Sequence, residues 1–154
     1  MIPRLSTKLL VRPEDIPPSR EDLEVIGAFN PGAAAHDGGV VLMVRVAERP
    51  RERREGYTAI PMYDPHQGLI VEWFRNEELD RSDPRVVYHH VHDRTYLTFV
   101  SHCRIVRSRD GRSLDHIGQE AFFPQFAYEA YGVEDPRITP IDGRYCITYV
   151  AVSR

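Results

Sequence analysis

The sequence predicts an all-β fold in which short strands are joined by tight turns. Twelve prolines and ten glycines among 154 residues indicate many turns. β-rich runs such as 40–46 and 145–150 alternate with these turns, and no long stretch has the 3.6-residue periodicity of a helix. A weak internal repeat with a period near 50 residues is the third observation, and this period is typical of the blades of a β-propeller.

Length and composition exclude several classes of protein. The chain has the usual size of one domain, and 42% hydrophobic residues with a net charge of −3 argue against disorder. There is no basic excess that would indicate a nucleic-acid partner. No apolar run approaches the ~18 residues of a membrane span. Cys103 and Cys146 both lie in apolar runs, so we interpret them as buried free thiols of a cytoplasmic protein.

The N-terminal third divides into a lead-in segment, a buried strand and a charged loop. Residues 1–26 are predicted to be a lead-in segment with at most one short helix, for which Ser19 would be the N-cap and Asp22 would lie at N3. Run 40–46 is predicted to be a buried strand whose one charge, Arg45, must be paired or must face a polar cavity. Residues 48–56 hold four arginines and three glutamates, and most of them are predicted to lie in a solvated loop.

The internal repeat has two sets of equivalent positions. The prolines of three X-Pro turns are spaced 53 and 52 residues apart, at Pro31, Pro84 and Pro136. The aspartates before the following strands are spaced 56 and 49 residues apart, at Asp37, Asp93 and Asp142. Because a closed propeller needs about four to eight blades, we expect residues 27–154 to form an incomplete propeller of about two to three blades. A self-contained β-sandwich is the alternative.

A carboxylate-rich motif, Gly-Val-Glu-Asp-Pro-Arg-Ile-Thr, occupies residues 132–139. The residue before a proline is driven toward extended backbone, where successive side chains point to opposite faces. We therefore predict that Asp135 and Arg137 share one face of extended chain and that Glu134 points the other way. Such a carboxylate–arginine pair is either part of a functional site or a structural ion pair.

Two further clusters of polar and titratable residues each have two possible interpretations from the sequence. Asp83 and Arg85 flank Pro84 as Asp135 and Arg137 flank Pro136, and they either line the same site or form a structural turn with an ion pair. The histidines at 89, 90 and 92 would suit zinc if the last two shared a strand face. No further ligand is evident nearby, so we expect histidines at the surface or rim and no bound metal.

With motif 132–139, Asn30-Pro31-Gly32-Ala33 and Tyr-Cys-Ile-Thr-Tyr at 145–149, residues 27–154 resemble glycoside hydrolase family 130. The family comprises β-mannoside phosphorylases and related β-mannosidases. The resemblance implies a five-bladed β-propeller with its active site at the central axis. It also implies inverting cleavage of β-mannosides, in most members by inorganic phosphate with release of mannose 1-phosphate. The implied partners are therefore a β-mannoside and phosphate as co-substrate, with no cofactor.

The resemblance also assigns roles to individual residues. Asp135 corresponds to the general acid, which acts through a hydroxyl of the sugar. Asn30, Arg45 and Arg51 correspond to sugar-contacting residues, and we add Asp83 and Arg137 as candidate substrate-binding residues. The cations that hold phosphate come from later blades in the family, so we expect the isolated chain to be inactive. Unpaired sheet edges would also favour self-association.

Two alternatives to a phosphorylase remain at this point. One is a β-mannosidase, which uses water and needs a second carboxylate to activate it. The other is a non-catalytic sugar-binding fragment.

Overall fold

The chain is all-β over the residues that the structure describes. The computed structural model describes residues 7–153, except for the side chain of residue 120. Residues 1–6 of the predicted lead-in segment and residue 154 lie outside this range. The strands are β1 (Leu23–His36), β2 (Gly39–Pro50), β3 (Tyr57–Asp64), β4 (Gly68–Arg75), β5 (Leu79–Asp80), β6 (Val86–His89), β7 (Arg94–Leu97), β8 (Val100–Ser108), β9 (His116–Phe122), β10 (Gly132–Ile141) and β11 (Arg144–Val152). Short 3-10 turns are found at Pro13–Asp15, Asn76–Glu78 and Ala127–Glu129.

The strands form three sheets, of which the largest carries the residues of motif 132–139. Its order is β1-β2-β8-β10-β11, with β9 paired to β8 as well. The other two sheets are the hairpin β3-β4 and the meander β5-β6-β7. Within the large sheet, β2 and β8 pair antiparallel along nine residues, whereas β8 and β10 meet in parallel through Ser101 and Gly132. Strand β8 therefore brings the first and last hairpins of the chain together.

The predicted repeat is visible in the backbone of the turns. Asp37, Asp93 and Asp142 all have left-handed backbone, with φ of 47°, 51° and 47°. Aspartate adopts this region more readily than most residues. Each of the three aspartates lies in the turn of an antiparallel hairpin, β1-β2, β6-β7 or β10-β11. The turns were thus located correctly from the sequence.

The conformation predicted for Asp135 is wrong, because Pro136 lies within strand β10 at a bulge. Asp135 has φ of 48°, and the pairing of β10 with β11 shifts register between Glu134 and Arg137. Asn30 has φ of 47° before Pro31, at an equivalent shift in β1. Proline disfavours mainly the right-handed helical region for the residue before it, and Asn and Asp tolerate the left-handed one. The bulge ends the simple alternation of faces.

The lead-in segment differs from the prediction, because residues 19–22 form a turn and no helix begins at Ser19. The Ser19 main-chain N–H donates to Glu48 Oε1 at 2.6 Å, and its hydroxyl donates to Oε2 of the same carboxylate. Most of run 48–56 is predicted to be solvated, but its first residue, Glu48, is fully buried near the end of β2. This contact joins residues 29 positions apart, so local capping rules could not detect it.

Among the described residues, two hydrophobic clusters form the core. One lies around Ile60, Met62 and Tyr131, and the other contains Met43, Cys103 and Val133 behind the β8–β10 junction. Cys103 is buried as predicted, but Cys146 is exposed. It lies on β11, which pairs only with β10 among the described strands. None of the described helical segments is long and apolar enough to cross a membrane.

Candidate active site

Arg45 is the centre of a cluster of polar side chains on β2, β8 and β10. Its Nη2 donates to Glu134 Oε1 at 2.5 Å, and its Nη1 donates to Asp135 Oδ1 at 3.3 Å. The guanidinium carbon lies 4.7 Å from the centre of the Phe29 ring. Only 12% of the Arg45 side chain is exposed. Removal of either carboxylate would therefore leave the buried positive charge of Arg45 poorly compensated. The expectation that this buried arginine must be paired is confirmed.

Asp135 is the more accessible of the two carboxylates, with 36% of its side chain exposed. Besides Arg45, it accepts a hydrogen bond from Asn30 Nδ2 at 2.9 Å. The two left-handed residues of the β1 and β10 bulges therefore contact each other directly. The Asn30 amide, followed by Arg45, holds the pKa of Asp135 below its usual value.

Glu134 lies on the same side as Asp135, which contradicts the predicted arrangement. Both carboxylates bind one guanidinium, because the bulge at Asp135 cancels the alternation of side chains. Burial raises the pKa of Glu134, although Arg45 and a hydrogen bond from Ser101 oppose the rise. The environments of two adjacent carboxyl groups thus move their pKa values apart, a pattern common where acid and base roles are divided.

Ser101 is a member of the cluster that the sequence did not identify. Its hydroxyl donates to Glu134 Oε1 at 2.9 Å and accepts from Arg45 Nε at 3.3 Å. The sequence signal was a polar pair, Ser101 and His102, within the first residues of an apolar strand. His102 has a separate role: its Nδ1 lies 3.4 Å from Glu48 Oε2, and its Nε2 accepts from Arg104. Burial lowers the pKa of His102 to about 3, so the ring is neutral.

Arg137 belongs to the bulge itself. Its Nη1 donates to the main-chain oxygens of Pro136 at 3.0 Å and of Asp135 at 3.4 Å. The guanidinium is exposed and stabilises the bulge that carries Asp135. The structure therefore brings Arg137 to the cluster together with Asn30 and Arg45.

Two predicted site residues do not contact this cluster. Arg51 is exposed beyond the end of β2, six residues from Arg45, on the order of 20 Å along an extended strand. Asp83 accepts from the main-chain N–H of Arg85 at 2.8 Å and pairs with its guanidinium at 2.9 Å. These hydrogen bonds from Arg85 lower the pKa of Asp83 to about 2. Asp83 thus forms the structural turn with an ion pair that was one of its two interpretations.

The histidines of residues 89–92 do not have the arrangement predicted for a strand. His89 is buried and its ring stacks on that of His92 at 3.8 Å between centroids, while His90 lies against Tyr88. The difference arises because β6 ends at His89, so that the following residues form a turn. Within residues 7–153, no group of three or more His, Cys, Asp or Glu side chains is arranged to hold a metal ion.

Comparison with known proteins agrees with the motif. Residues 84–154 match the family model of glycoside hydrolase family 130, described as beta-1,4-mannooligosaccharide phosphorylase. Beta-1,2-mannobiose phosphorylase from Listeria innocua serovar 6a is 36% identical over 149 residues. The match covers 94% of this chain and 42% of that protein, so the chain spans about two fifths of its relative's length.

The solved structure of the Listeria innocua enzyme in complex with β-1,2-mannobiose has the same fold over the matched part, with a TM-score of 0.85. It again covers 94% of this chain and 42% of the solved chain. The predicted all-β fold of an incomplete propeller is therefore confirmed. Over the matched residues, the chain is similar to glycoside hydrolase family 130, as motif 132–139 had indicated.

Proposed function

We propose that this chain is the acid-bearing portion of an inverting β-mannoside phosphorylase. The observation that supports this proposal best is Asp135, an accessible carboxylate on the β10 bulge that is held by Asn30 and Arg45. The similarity to a β-1,2-mannobiose phosphorylase supports the substrate class. The family model is described by a β-1,4 linkage instead, so the proposal concerns β-mannosides as a class.

In the proposed reaction, Asp135 supplies the proton that the leaving sugar requires. The proton passes through a hydroxyl of the substrate to the glycosidic oxygen, and the bond between this oxygen and the anomeric carbon breaks. An oxygen of inorganic phosphate forms the new bond to that carbon from the opposite face, which inverts its configuration. The products are mannose 1-phosphate and the shortened sugar. Asn30 and Arg45 hold the acid, and Arg137 stabilises the bulge beneath it.

The ionisation of Asp135 requires a change when ligands bind. In the ligand-free chain its low pKa keeps it charged at neutral pH, whereas a general acid must carry a proton. Bound sugar would exclude water, and a phosphate anion nearby would add like charge. Both effects raise a carboxyl pKa. The proposal therefore includes proton uptake by Asp135 when mannoside and phosphate bind together.

The phosphate site is proposed to lie outside this chain. Phosphate binding requires several cations with free donors, but Arg45 already serves two carboxylates, which leaves only the exposed Arg137 with free donors in the described cluster. The remaining part of a full-length enzyme would supply these cations. We therefore expect the isolated chain to release no mannose 1-phosphate.

Glu134 is a poor candidate for the base of a water-using enzyme. Inverting hydrolases place acid and base about 6.5 to 9.5 Å apart, on opposite faces of the sugar. Glu134 and Asp135 are adjacent and bind the same guanidinium, within 2.5 and 3.3 Å of its two terminal nitrogens. They therefore lie on one side of the site.

A chimera tests the proposal. This chain would be joined to the part of the Listeria innocua enzyme that it does not cover, and incubated with β-1,2- or β-1,4-mannobiose and phosphate. We expect release of mannose 1-phosphate and a loss of at least about 100-fold in Asp135→Asn, the usual size of general-acid catalysis. Asp83→Asn is the matched control, since it alters the other Asp-Pro-Arg sequence and should retain activity.

Each other outcome contradicts part of the proposal. Turnover near the unmodified rate in Asp135→Asn would remove Asp135 from the acid role. Release of free mannose without phosphate consumption would identify a hydrolase. A folded chimera that binds mannobiose but never cleaves it would favour the non-catalytic alternative.

A further inference from the structure

Ser101 lies where strands β2, β8 and β10 meet. Its Cα pairs with Ala47 on one side and with Gly132 on the other. Its main-chain N–H donates to the Tyr131 oxygen at 2.9 Å, and only 1% of the residue is exposed. The two neighbouring strands therefore fix the position of the Ser101 backbone independently of any contact that its side chain makes.

The hydroxyl of Ser101 connects the two partners that surround the acid. It donates its one proton to Glu134 Oε1 at 2.9 Å and accepts from Arg45 Nε at 3.3 Å. A serine hydroxyl has one donor and acceptor lone pairs, so its donor is committed to the cluster. Arg45 uses its opposite side, Nη1, to bind Asp135. The orientation of the guanidinium toward Asp135 thus depends on what holds its Nε edge and its Glu134 partner.

Gly132 makes the placement of Ser101 specific. A Cβ at this position would lie 2.1 Å from the Ser101 carbonyl oxygen, and φ is +123°. Glycine therefore lets β10 approach β8 closely at the point two residues before Glu134. This approach brings the Glu134 carboxylate within reach of the short Ser101 side chain.

We propose that Ser101 is a positioning residue, whose hydroxyl orients Glu134 and Arg45 so that the guanidinium stays on Asp135. The effect of Ser101 on catalysis rests on the proposed function, whereas its contacts with Glu134 and Arg45 are independent of that function. Loss of the hydroxyl would remove a donor to Glu134 and a contact that holds the Nε edge of Arg45. Glu134 would then accept a proton more easily, and Asp135 would be held less tightly.

Few other charges act on Glu134. Arg45 of β2 and Asp135 of its own strand are the charged groups that contribute to its ionisation. The buried Cys103 thiol of β8 contacts the main-chain oxygen of Val133, and burial raises the pKa of this thiol to about 12. It therefore stays neutral through the range in which carboxylates titrate. A shift in Glu134 on substitution of Ser101 can thus be attributed to this cluster.

Carboxyl NMR titration of the chain tests the proposal. The pKa values of Glu134 and Asp135 would be measured with ¹³C-labelled side chains in the unmodified chain and in Ser101→Ala. We expect the pKa of Glu134 to rise by about one unit, the order of the effect of one hydrogen bond to a carboxylate, and that of Asp135 to rise by less. Ser101→Thr keeps the hydroxyl and should restore both values.

Ser108→Ala is the matched control. Ser108 is also buried on β8, and its hydroxyl donates to Asp110, far from the cluster. A folded Ser101→Ala chain with an unchanged Glu134 pKa would overturn the proposal, as would an equal shift in Ser108→Ala. If Ser101→Ala does not fold, Ser101→Cys takes its place, because a thiol is a much weaker donor than a hydroxyl, and an unchanged Glu134 pKa in that variant would overturn the proposal.

The kinetics of the chimera distinguish a positioning role of Ser101 from a purely structural one. Ser101→Ala should lower kcat and shift its pH profile while KM for the mannoside changes little. If the titration shifts as expected but the chimera never turns over, the proposed function fails and the positioning role of Ser101 stands. If the chimera is active and the titration does not shift, only the role of Ser101 fails.

Discussion

Gly132→Ala should be among the most damaging small substitutions in the chain. The added Cβ would lie 2.1 Å from the Ser101 oxygen and 2.6 Å from its nitrogen, and both are backbone atoms that cannot rotate away. Overpacking of this kind costs about 1–3 kcal/mol, and left-handed backbone costs a residue with a Cβ about 1–2 kcal/mol more. Separation of β8 from β10 would also weaken the hydrogen bond from the Ser101 main-chain N–H to the Tyr131 main-chain oxygen, which contributes about 1 kcal/mol.

Together these effects predict a loss of about 3–6 kcal/mol, which is a large part of the stability of a typical domain. Urea denaturation followed by circular dichroism measures it. Gly143→Ala is the matched control on the same hairpin, with φ of +74° and no atom within 4 Å of the added Cβ. It should lose only about 1–2 kcal/mol from backbone strain. Equal losses in the two variants would refute the argument from close approach.

Three further predictions concern buried charge. Arg45→Met should lose about 3 kcal/mol at pH 7, because both carboxylates that it binds lose their cation, and the loss should shrink at pH 3 in denaturant titrations. The pKa of His102 is about 3, so the unfolded chain binds more protons between pH 3 and 6.5 and stability falls as the pH drops through this window. Unfolding at pH 5 should need about 2 kcal/mol less than at pH 7, and His102→Gln should remove this difference. Tyr149→Phe removes a 2.6 Å hydrogen bond to buried Glu129. It should lower the free energy of unfolding, measured by thermal melting, by about 1.5–3 kcal/mol. A decrease no larger than that of Tyr145→Phe, a control at an exposed tyrosine, would contradict this prediction.

The hairpin turns could be predicted because their causes are local. An aspartate at the tip of a short loop, followed by glycine in two of the three cases, favours left-handed backbone wherever it occurs. Strands β3 and β4 have equally local causes, since their β-branched and aromatic residues end at the turn between them.

The bulges could not be predicted, although both contain a proline that the sequence singled out. A proline before a strand and a proline at a bulge within a strand obey the same local rule. The difference lies in the pairing with the neighbouring strand, because β1 and β10 each carry one residue more than their partner at this point. The faces of Glu134 and Asp135 follow from that extra residue, so the local argument assigned Glu134 to the wrong side.

The sequence by itself determined the all-β class, the turns of the repeat and the chemical identity of the candidate acid. It also indicated that Arg45 needs a partner, because an isolated buried charge is too costly. Only the tertiary structure decided which groups meet: Asn30 contacts Asp135 across 105 positions, and Arg45 across 90. Ser101 entered the cluster in the same way, through the close approach of β8 to β10 at Gly132. Contacts of this kind depend on strand pairing between distant segments, which no local pattern of residues specifies.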